Sequence, residues 1–369
     1  MLTFMLQQLE RLLPAIPTPA PASGIKSVLV VDLNFLGDML FSSPVYRALH
    51  QQLPGARVES LVYEFCRPAL AANPYVDRIH TVRRAGLGAQ LVAALRMRRQ
   101  RYDLILQLNT SLRVNLLIWL MRGRYRLGYN YAHRGAPCNI RVEIPFRTAR
   151  RGNRVDECLG LLEQAFGWTV AERGMIFRPR AEALARADAF LHAQGVRPGE
   201  LLIAMHANSR QDWTARRWPA DRFAALAGRL IREKQARIVL TGSAGDLPYL
   251  ETLAGMIDVP GQVVMAAGAL SLSETAALLQ RVMLFITINT GPMHLAVAQD
   301  TPTVAIIGGT PAEVVYPRGN PRFLFVDDPS LEAWDPASGK SAIEPALAQI
   351  SVDQVYAQVL ALLHTLKNP

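Results

Sequence analysis

The chain has 369 residues, half of them hydrophobic, and a formal charge of +10. That is enough to bury cores for two domains, and no apolar run reaches the roughly 20 residues that a bilayer-spanning helix needs. Charge is uneven: residues 1–187 carry 26 Lys and Arg against 13 Asp and Glu, a net +13, while residues 188–369 carry 14 against 17, a net −3. The basic half implies either solubility or an anionic partner. Three cysteines, Cys66, Cys138 and Cys158, are odd in number and lack metal-ligand spacing, which points to a reducing compartment.

Residues 1–23 read as an appendage. Leu2, Met5, Leu6, Leu9, Leu12 and Leu13 fall at helical spacing, and a stiff PAIPTPAPASG spacer follows. Such a helix docks on its own domain, frays, or touches a membrane surface; no basic start precedes it, so a cleaved signal is not expected.

From Ser27 the pattern is regular. SVLVVDL is a strand, NFLGD a turn and MLFSSPVYRALHQQL a helix; RVESLVY, RIHTV and DLILQLN are further strands, with an Arg-rich helical stretch from Leu91 to Arg101. Such alternation means a parallel sheet covered by helices. Gly123 to Arg154 is basic with weak periodicity and reads as loops, followed by a helix near Val155 to Phe166.

At FRPR, Phe177 to Arg180, the pattern breaks, and a helix from Ala181 to Gln194 opens a second β-α series. LLIAMH, RIVLTG, QVVMAA and LFITIN are its strands; a helix from Pro219 to Glu233 and a Ser271–Glu274 capping box lie between them. Leu284 to Thr310 reads strand, tight turn at Asn289–Thr290–Gly291, helix opened by Pro292, then a second strand ending in Gly308-Gly309. Free N–H groups at such a helix start suit phosphate, although an ordinary β-α-β unit has the same pattern. The divisions are thus 1–23, 24–180, 181–350 and a final helix in 351–369 placed to cross back onto the first domain.

Three further positions carry chemistry. Asp38 either caps the helix after the first strand or acts as a general base at the mouth of the sheet. The loop ANSRQDWTARRWP brings Asn208, Ser209, Arg216 and Arg217 to a strand's carboxyl end, where ligands of open α/β sheets bind, with Trp218 packed beneath. Asp246, ending TGSAGD, either holds ribose hydroxyls or caps a helix. Arg124, Arg126, Arg134 and Arg141 cluster in the irregular basic stretch and suit phosphates of an anionic partner. No acidic pair reads as a metal cage.

Taken together, GDMLFSSP, HANS…RRWP, TGSAGD and NTGPMHLA, with NPYVDRIH, resemble the family 9 glycosyltransferases, the ADP-heptose:lipopolysaccharide heptosyltransferases, from about Ser27 onward. The resemblance implies an α/β GT-B fold, two Rossmann-like domains with parallel sheets facing a central cleft. The acceptor would sit on the first domain and the nucleotide sugar on the second. It implies inverting transfer from ADP-L-glycero-D-manno-heptose to the inner core of lipopolysaccharide, with Asp38 as base. Arg216, the Thr290–Gly291 amides and His294 would stabilise the departing diphosphate, and Asn208, Ser209, Asp246 and Asn289 would complete the donor site. His294 reads equally as a packed helical residue. The expected setting is cytoplasmic, at the inner leaflet, with an anionic lipopolysaccharide precursor as partner, no nucleic acid and no essential metal. The family more often has Asp at Asn289 and Lys at Arg216, and its loop between Ser209 and Arg216 is shorter. A transferase using another nucleotide sugar and a non-catalytic relative are the rival readings.

Overall fold

The computed structural model describes residues 2–143, 153–208, 217–259, 261–308, 312–315, 317, 319–327 and 344–367. It divides into two compact units, Met1–Ile176 and Phe177–Pro369, so the boundary falls at the FRPR break.

The first unit runs α1 (Leu2–Leu12), β1 (Ser27–Asp32), α2 (Leu36–Gln52), β2 (Arg57–Tyr63), α3 (Arg67–Ala71), β3 (Arg78–Val82), α4 (Leu87–Arg98), β4 (Leu104–Gln107), α5 (Leu112–Met121), β5 (Tyr125–Asn130), β6 (Ile140–Glu143) and α6 (Arg154–Phe166). The second runs α7 (Ala181–Ala193), β7 (Leu202–His206), α8 (Ala220–Lys234), β8 (Arg237–Leu240), α9 (Leu247–Gly255), β9 (Val263–Met265), α10 (Leu272–Leu279), β10 (Leu284–Ile288), α11 (Gly291–Ala298), β11 (Thr303–Ile306), α12 (Ala312–Val315), β12 (Phe323–Val326), α13 (Glu344–Gln349) and α14 (Val352–Lys367).

Each unit holds a six-stranded sheet, ordered β3-β2-β1-β4-β5-β6 and β12-β11-β10-β7-β8-β9, and all neighbouring strands are parallel. Helices cover both faces of a parallel sheet, so its central strands must be apolar throughout. Val28 to Val31 of β1 and Leu284 to Ile286 of β10 are fully buried accordingly. Strand order reverses between β1 and β4, and again between β7 and β10. Ligands of such sheets bind outside the strands' carboxyl ends at these reversals.

Sequence and structure part in three places. The stretch expected as loops contains β5 and β6. β5 reads YRLGYN, too polar and glycine-containing to register as a core strand, yet its backbone pairs with β4 and β6. Gly128 is what lets it fit: a Cβ there would lie 2.7 Å from Cys138 Sγ and 2.9 Å from Asn115 Oδ1. β12 is also an addition, paired to β11 at the sheet edge.

The final helix was expected to cross back to the first domain. Instead Val355, Tyr356, Val359, Leu362 and Leu363 of α14 bury themselves in the second unit's core, where Tyr356 donates to Glu233 at 2.6 Å. Its apolar stripe matches the uncovered side of α8 and β11, which needs a cover to exclude water.

The appendage docks on its own unit. Leu6 is buried, Ile16 N donates to Asn139 O at 2.7 Å, and Ala20 N donates to Ala165 O at 2.7 Å. Arg141 completes the clamp by donating to the carbonyls of Glu10 (3.2 Å), Leu13 (3.0 Å), Ala136 (3.1 Å) and Cys138 (2.9 Å).

The close approach at Gly128 gives a direct test. Gly128→Ala is expected to cost about 1–3 kcal/mol of stability through overpacking, read as a lower urea midpoint. An unchanged midpoint would mean β5 has room that the packing does not show.

Candidate active site

In the first unit, the reversal between β1 and β4 opens a cavity of about 510 Å³, lined by Leu33 and Asn34 after β1, Asn109 to Val114 after β4, and Arg134. Asn109 Nδ2 donates to Asn34 Oδ1 at 3.4 Å across the mouth. Ser111 precedes α5 without capping it through its side chain. Arg113 and Arg134 bring two guanidinium groups to this polar crevice, and Arg113 also donates to the Tyr63 hydroxyl at 3.2 Å.

Asp38 sits beyond β1 in the first turn of α2. The N-cap is Phe35, so the expected N-cap role is replaced by a reach back to the Phe35 amide. Loss of water around its carboxyl raises the pKa; Arg154, with a guanidinium nitrogen 3.8 Å away, and the Phe35 amide pull it back. The side chain keeps 36% of its surface exposed, so a substrate hydroxyl can reach it.

Beneath Asp38 lies a second acid that sequence reading passed over. Asp32 ends β1 fully buried, accepting from Asn34 Nδ2 and Ser42 Oγ, each at 2.6 Å. Burial pushes it up to about 7, with Ser42 opposing and the Asp38 charge adding to the rise. The signal in the sequence was an acid closing the apolar run SVLVV. Arg154 was missed as well: it opens α6, donates to Glu157 at 2.6 Å and faces Asp38, a pairing only the fold brings together.

In the second unit, the last registered pair across the reversal is Thr287 with His206. Asn208 and Asn289 therefore leave their strands side by side, and Thr290–Gly291 opens α11 between them. Thr290 is the N-cap and makes no side-chain capping bond; Pro292 has no amide and Met293 N donates to Thr290 O at 3.0 Å, so Gly291 supplies the amide at this helix start that suits an anion. Asn208 Nδ2 donates to Asp246 Oδ1 at 2.6 Å. The other carboxylate oxygen of Asp246 accepts from Ser243 N and Oγ, each at 2.7 Å. Asp246 is thus a capping-box residue that also ties the end of β7 to the end of β8.

His294 is buried on α11, and burial holds it down to about 3, so the ring is neutral at physiological pH. That favours the packed reading over a cationic partner for diphosphate. Trp218 is fully buried and donates to Ile350 O at 2.8 Å. Ser209 and Arg216 lie outside the described residues.

The four arginines assigned to the acceptor separate. Arg141 is saturated by backbone carbonyls of the α1 clamp, and Arg126 donates to Gly123 O (2.9 Å) and Pro137 O (3.3 Å). Arg124 is exposed over the Tyr125 ring at 4.8 Å. Arg134 reaches the cavity, joined there by Arg113, which the sequence did not single out. Among the described residues, no cluster of three or more His, Cys, Asp or Glu is placed to hold a metal ion.

The family model for glycosyltransferase family 9 (heptosyltransferase) matches residues 92–323. The chain belongs to that family. It is therefore a glycosyltransferase. Lipopolysaccharide heptosyltransferase 3 of Escherichia coli is 26% identical over 289 residues, 75% of this chain and 82% of that protein. A family 9 glycosyltransferase from Veillonella parvula superposes with a TM-score of 0.78 at 21% identity, covering 94% of this chain and all of the other. The ADP-heptose lipopolysaccharide heptosyltransferase II of E. coli gives 0.75 at 20% identity, covering 92% and 99%. The two-domain α/β fold of this family 9 member is of the GT-B type.

The buried acid predicts a pH effect on stability. Asp32 holds its proton to about pH 7 when folded but only to the free value of 3.8 when unfolded. Folding therefore loses stability as pH rises from about 4 through about 7. Asp32→Asn cannot ionise and escapes that loss, so the Tm of wild type relative to the variant should fall between about pH 4 and about pH 7. A constant difference would mean that Asp32 titrates normally.

Proposed function

We propose that this glycosyltransferase moves L-glycero-D-manno-heptose from ADP-heptose onto the inner core of lipopolysaccharide, with inversion. What supports the reading is the second reversal, where Asn208 and Asn289 follow β7 and β10 and Thr290–Gly291 opens α11, in a chain that belongs to the heptosyltransferase family and resembles named heptosyltransferases.

In this mechanism Asp38 accepts the proton of the acceptor hydroxyl as its oxygen attacks the anomeric carbon. The bond from that carbon to the ADP phosphate oxygen breaks on the opposite face, which inverts the centre. The Thr290–Gly291 amides and Arg216 stabilise the charge growing on the diphosphate. Asn208 and Asn289 hold the donor, with Asp246 orienting Asn208, and Ser209 joins them. His294, on the buried side of α11, packs that helix into its unit. Phosphates of the acceptor meet Arg134 and Arg113, with Arg124 adding to the surrounding positive field. The protein works at the cytoplasmic face of the inner membrane as a peripheral enzyme. No described helix is long and apolar enough to cross a membrane.

Asn289 favours one second reading, a donor other than ADP-heptose. An amide donates as well as accepts and adds no charge beside the phosphates, unlike the Asp more frequent in the family. Heating the protein with ADP-heptose and with UDP-sugars separates the two: protection by ADP-heptose alone supports the proposal, and protection by a UDP-sugar alone overturns it.

Asp38 and Arg154 generate a kinetic prediction. Asp38→Asn is expected to lower kcat about 10²–10⁴-fold. Arg154→Gln removes the charge that holds Asp38 down, so the acid limb of the kcat profile should move to higher pH, with the largest loss on the acid side. An unmoved limb would mean another group is the base.

The acceptor site predicts a separation of constants. Arg113→Ala with Arg134→Ala should raise acceptor KM at unchanged donor KM, less so at high salt. An unaltered acceptor KM would leave both as solvated surface.

A further inference from the structure

Large exposed hydrophobic side chains are concentrated in the first unit. In the second unit only Met256 and Met283 appear among those of the described residues, whereas α4 and α5 alone show six: Leu87, Leu91, Val92, Leu95, Leu116 and Trp119, between 46% and 61% exposed. The two helices share one core cluster, through Ala94 and Met97 of α4 and Val114, Leu117, Ile118 and Met121 of α5. They therefore lie on the same face of the sheet, and their apolar outer sides point away from it together. Monomeric proteins seldom leave such a face to water without use.

The charge along the stretch that carries this face is one-sided. Residues 83–142 hold twelve arginines and a single acid, Asp103. Asp103 is occupied at the start of β4, accepting from the Lys26 and Ser27 amides at 2.9 and 3.0 Å, and outside the stretch Glu64 lies 3.7 Å from Arg83. Arg83, Arg84, Arg96, Arg99, Arg101 and Arg122 are exposed. Leucines and a tryptophan ringed by arginines match the boundary of an anionic bilayer, where acyl chains take the apolar groups and headgroups pair with the guanidiniums. A second copy fits poorly, because a two-fold contact would set this arginine ring against itself. Nucleic acid fits poorly too, since the aliphatic centre gives bases little to stack on.

We propose that the outer face of α4 and α5 docks this protein on a bilayer surface carrying anionic headgroups. Its use rests on the lipid-acceptor reading: Arg113, in the first turn of α5, lines the cavity, with Leu116 and Trp119 one and two turns further on. Docking by this face sets the cavity mouth at headgroup level, where a phosphorylated lipid acceptor presents its sugars. α1, with Phe4 and Met5 exposed, is the competing contact on the same unit.

The test is flotation of the full chain with vesicles of phosphatidylcholine alone or with phosphatidylglycerol added, at low and high salt. Binding only to the anionic vesicles, weakened by salt, is expected. Leu91→Gln with Trp119→Gln should reduce bound protein about tenfold, and so should the independent pair Arg96→Glu with Arg99→Glu; Phe4→Ser with Met5→Ser should change it little. Circular dichroism confirms that each variant is folded, and the charge pair decides should the apolar pair unfold. The proposal is overturned by equal binding to neutral vesicles, by loss of binding only in the α1 variant, or by no binding at all. It is equally overturned if the face supports self-association or retains nucleic acid instead. Flotation needs no turnover, so failure of heptose transfer with intact vesicle binding would count against the activity and leave the docking face standing.

Discussion

The constraint on which this protein depends is the burial of two all-parallel sheets. With helices on both faces, polar groups are tolerated chiefly at strand ends, and unpaired backbone N–H groups remain where the next helix begins. Strand order reverses once in each sheet, and neighbouring connections part there to leave a crevice. The acid and cavity of the first unit and the helix start at Thr290–Gly291 of the second occupy equivalent points of the same topology, β1/β4 and β7/β10. One architecture is used twice, and the proposed base and the proposed diphosphate site stand at its two reversals.

The same burial sets the electrostatics. Asp32 at the end of β1 loses its water entirely and keeps its proton into the neutral range, while Asp38, one turn into α2, retains partial exposure and an arginine partner. Two acids six residues apart are thereby given different environments. The inner one fixes Asn34 and Ser42; the outer one is open to a hydroxyl group. In the second unit, burial keeps His294 neutral, so in the proposed mechanism its ring adds no positive charge beside the diphosphate.

Strands and helices with strong periodicity were legible in the sequence: β2 and β3 at the residues expected, and α6, α7, α8 and α14 to within a residue or two. The weakly periodic basic stretch was not, because β5 and β6 depend on a close approach at Gly128 that leaves no hydrophobic trace. The positions of Asp38, Asn208, Asn289 and Gly291 past strand ends were legible because turn chemistry after an apolar strand marks a carboxyl end. Arg141 and Arg126 could not be separated from Arg134 by sequence. Whether a guanidinium faces solvent or is consumed by carbonyls depends on turns that only the folded chain defines. The same holds for Asp246, whose capping bonds need Ser243 and Asn208 in place, and for α14, whose stripe fits whichever core is left uncovered.

The central claim is that family 9 chemistry here means heptose transfer from ADP-heptose. The most direct measurement is mass spectrometry of a phosphorylated inner-core acceptor incubated with the purified protein and ADP-heptose. The account predicts the mass gain of one heptose with release of an equal amount of ADP, and loss of both in Asp38→Asn. An acceptor left unchanged with ADP-heptose but glycosylated from a different nucleotide sugar would contradict it.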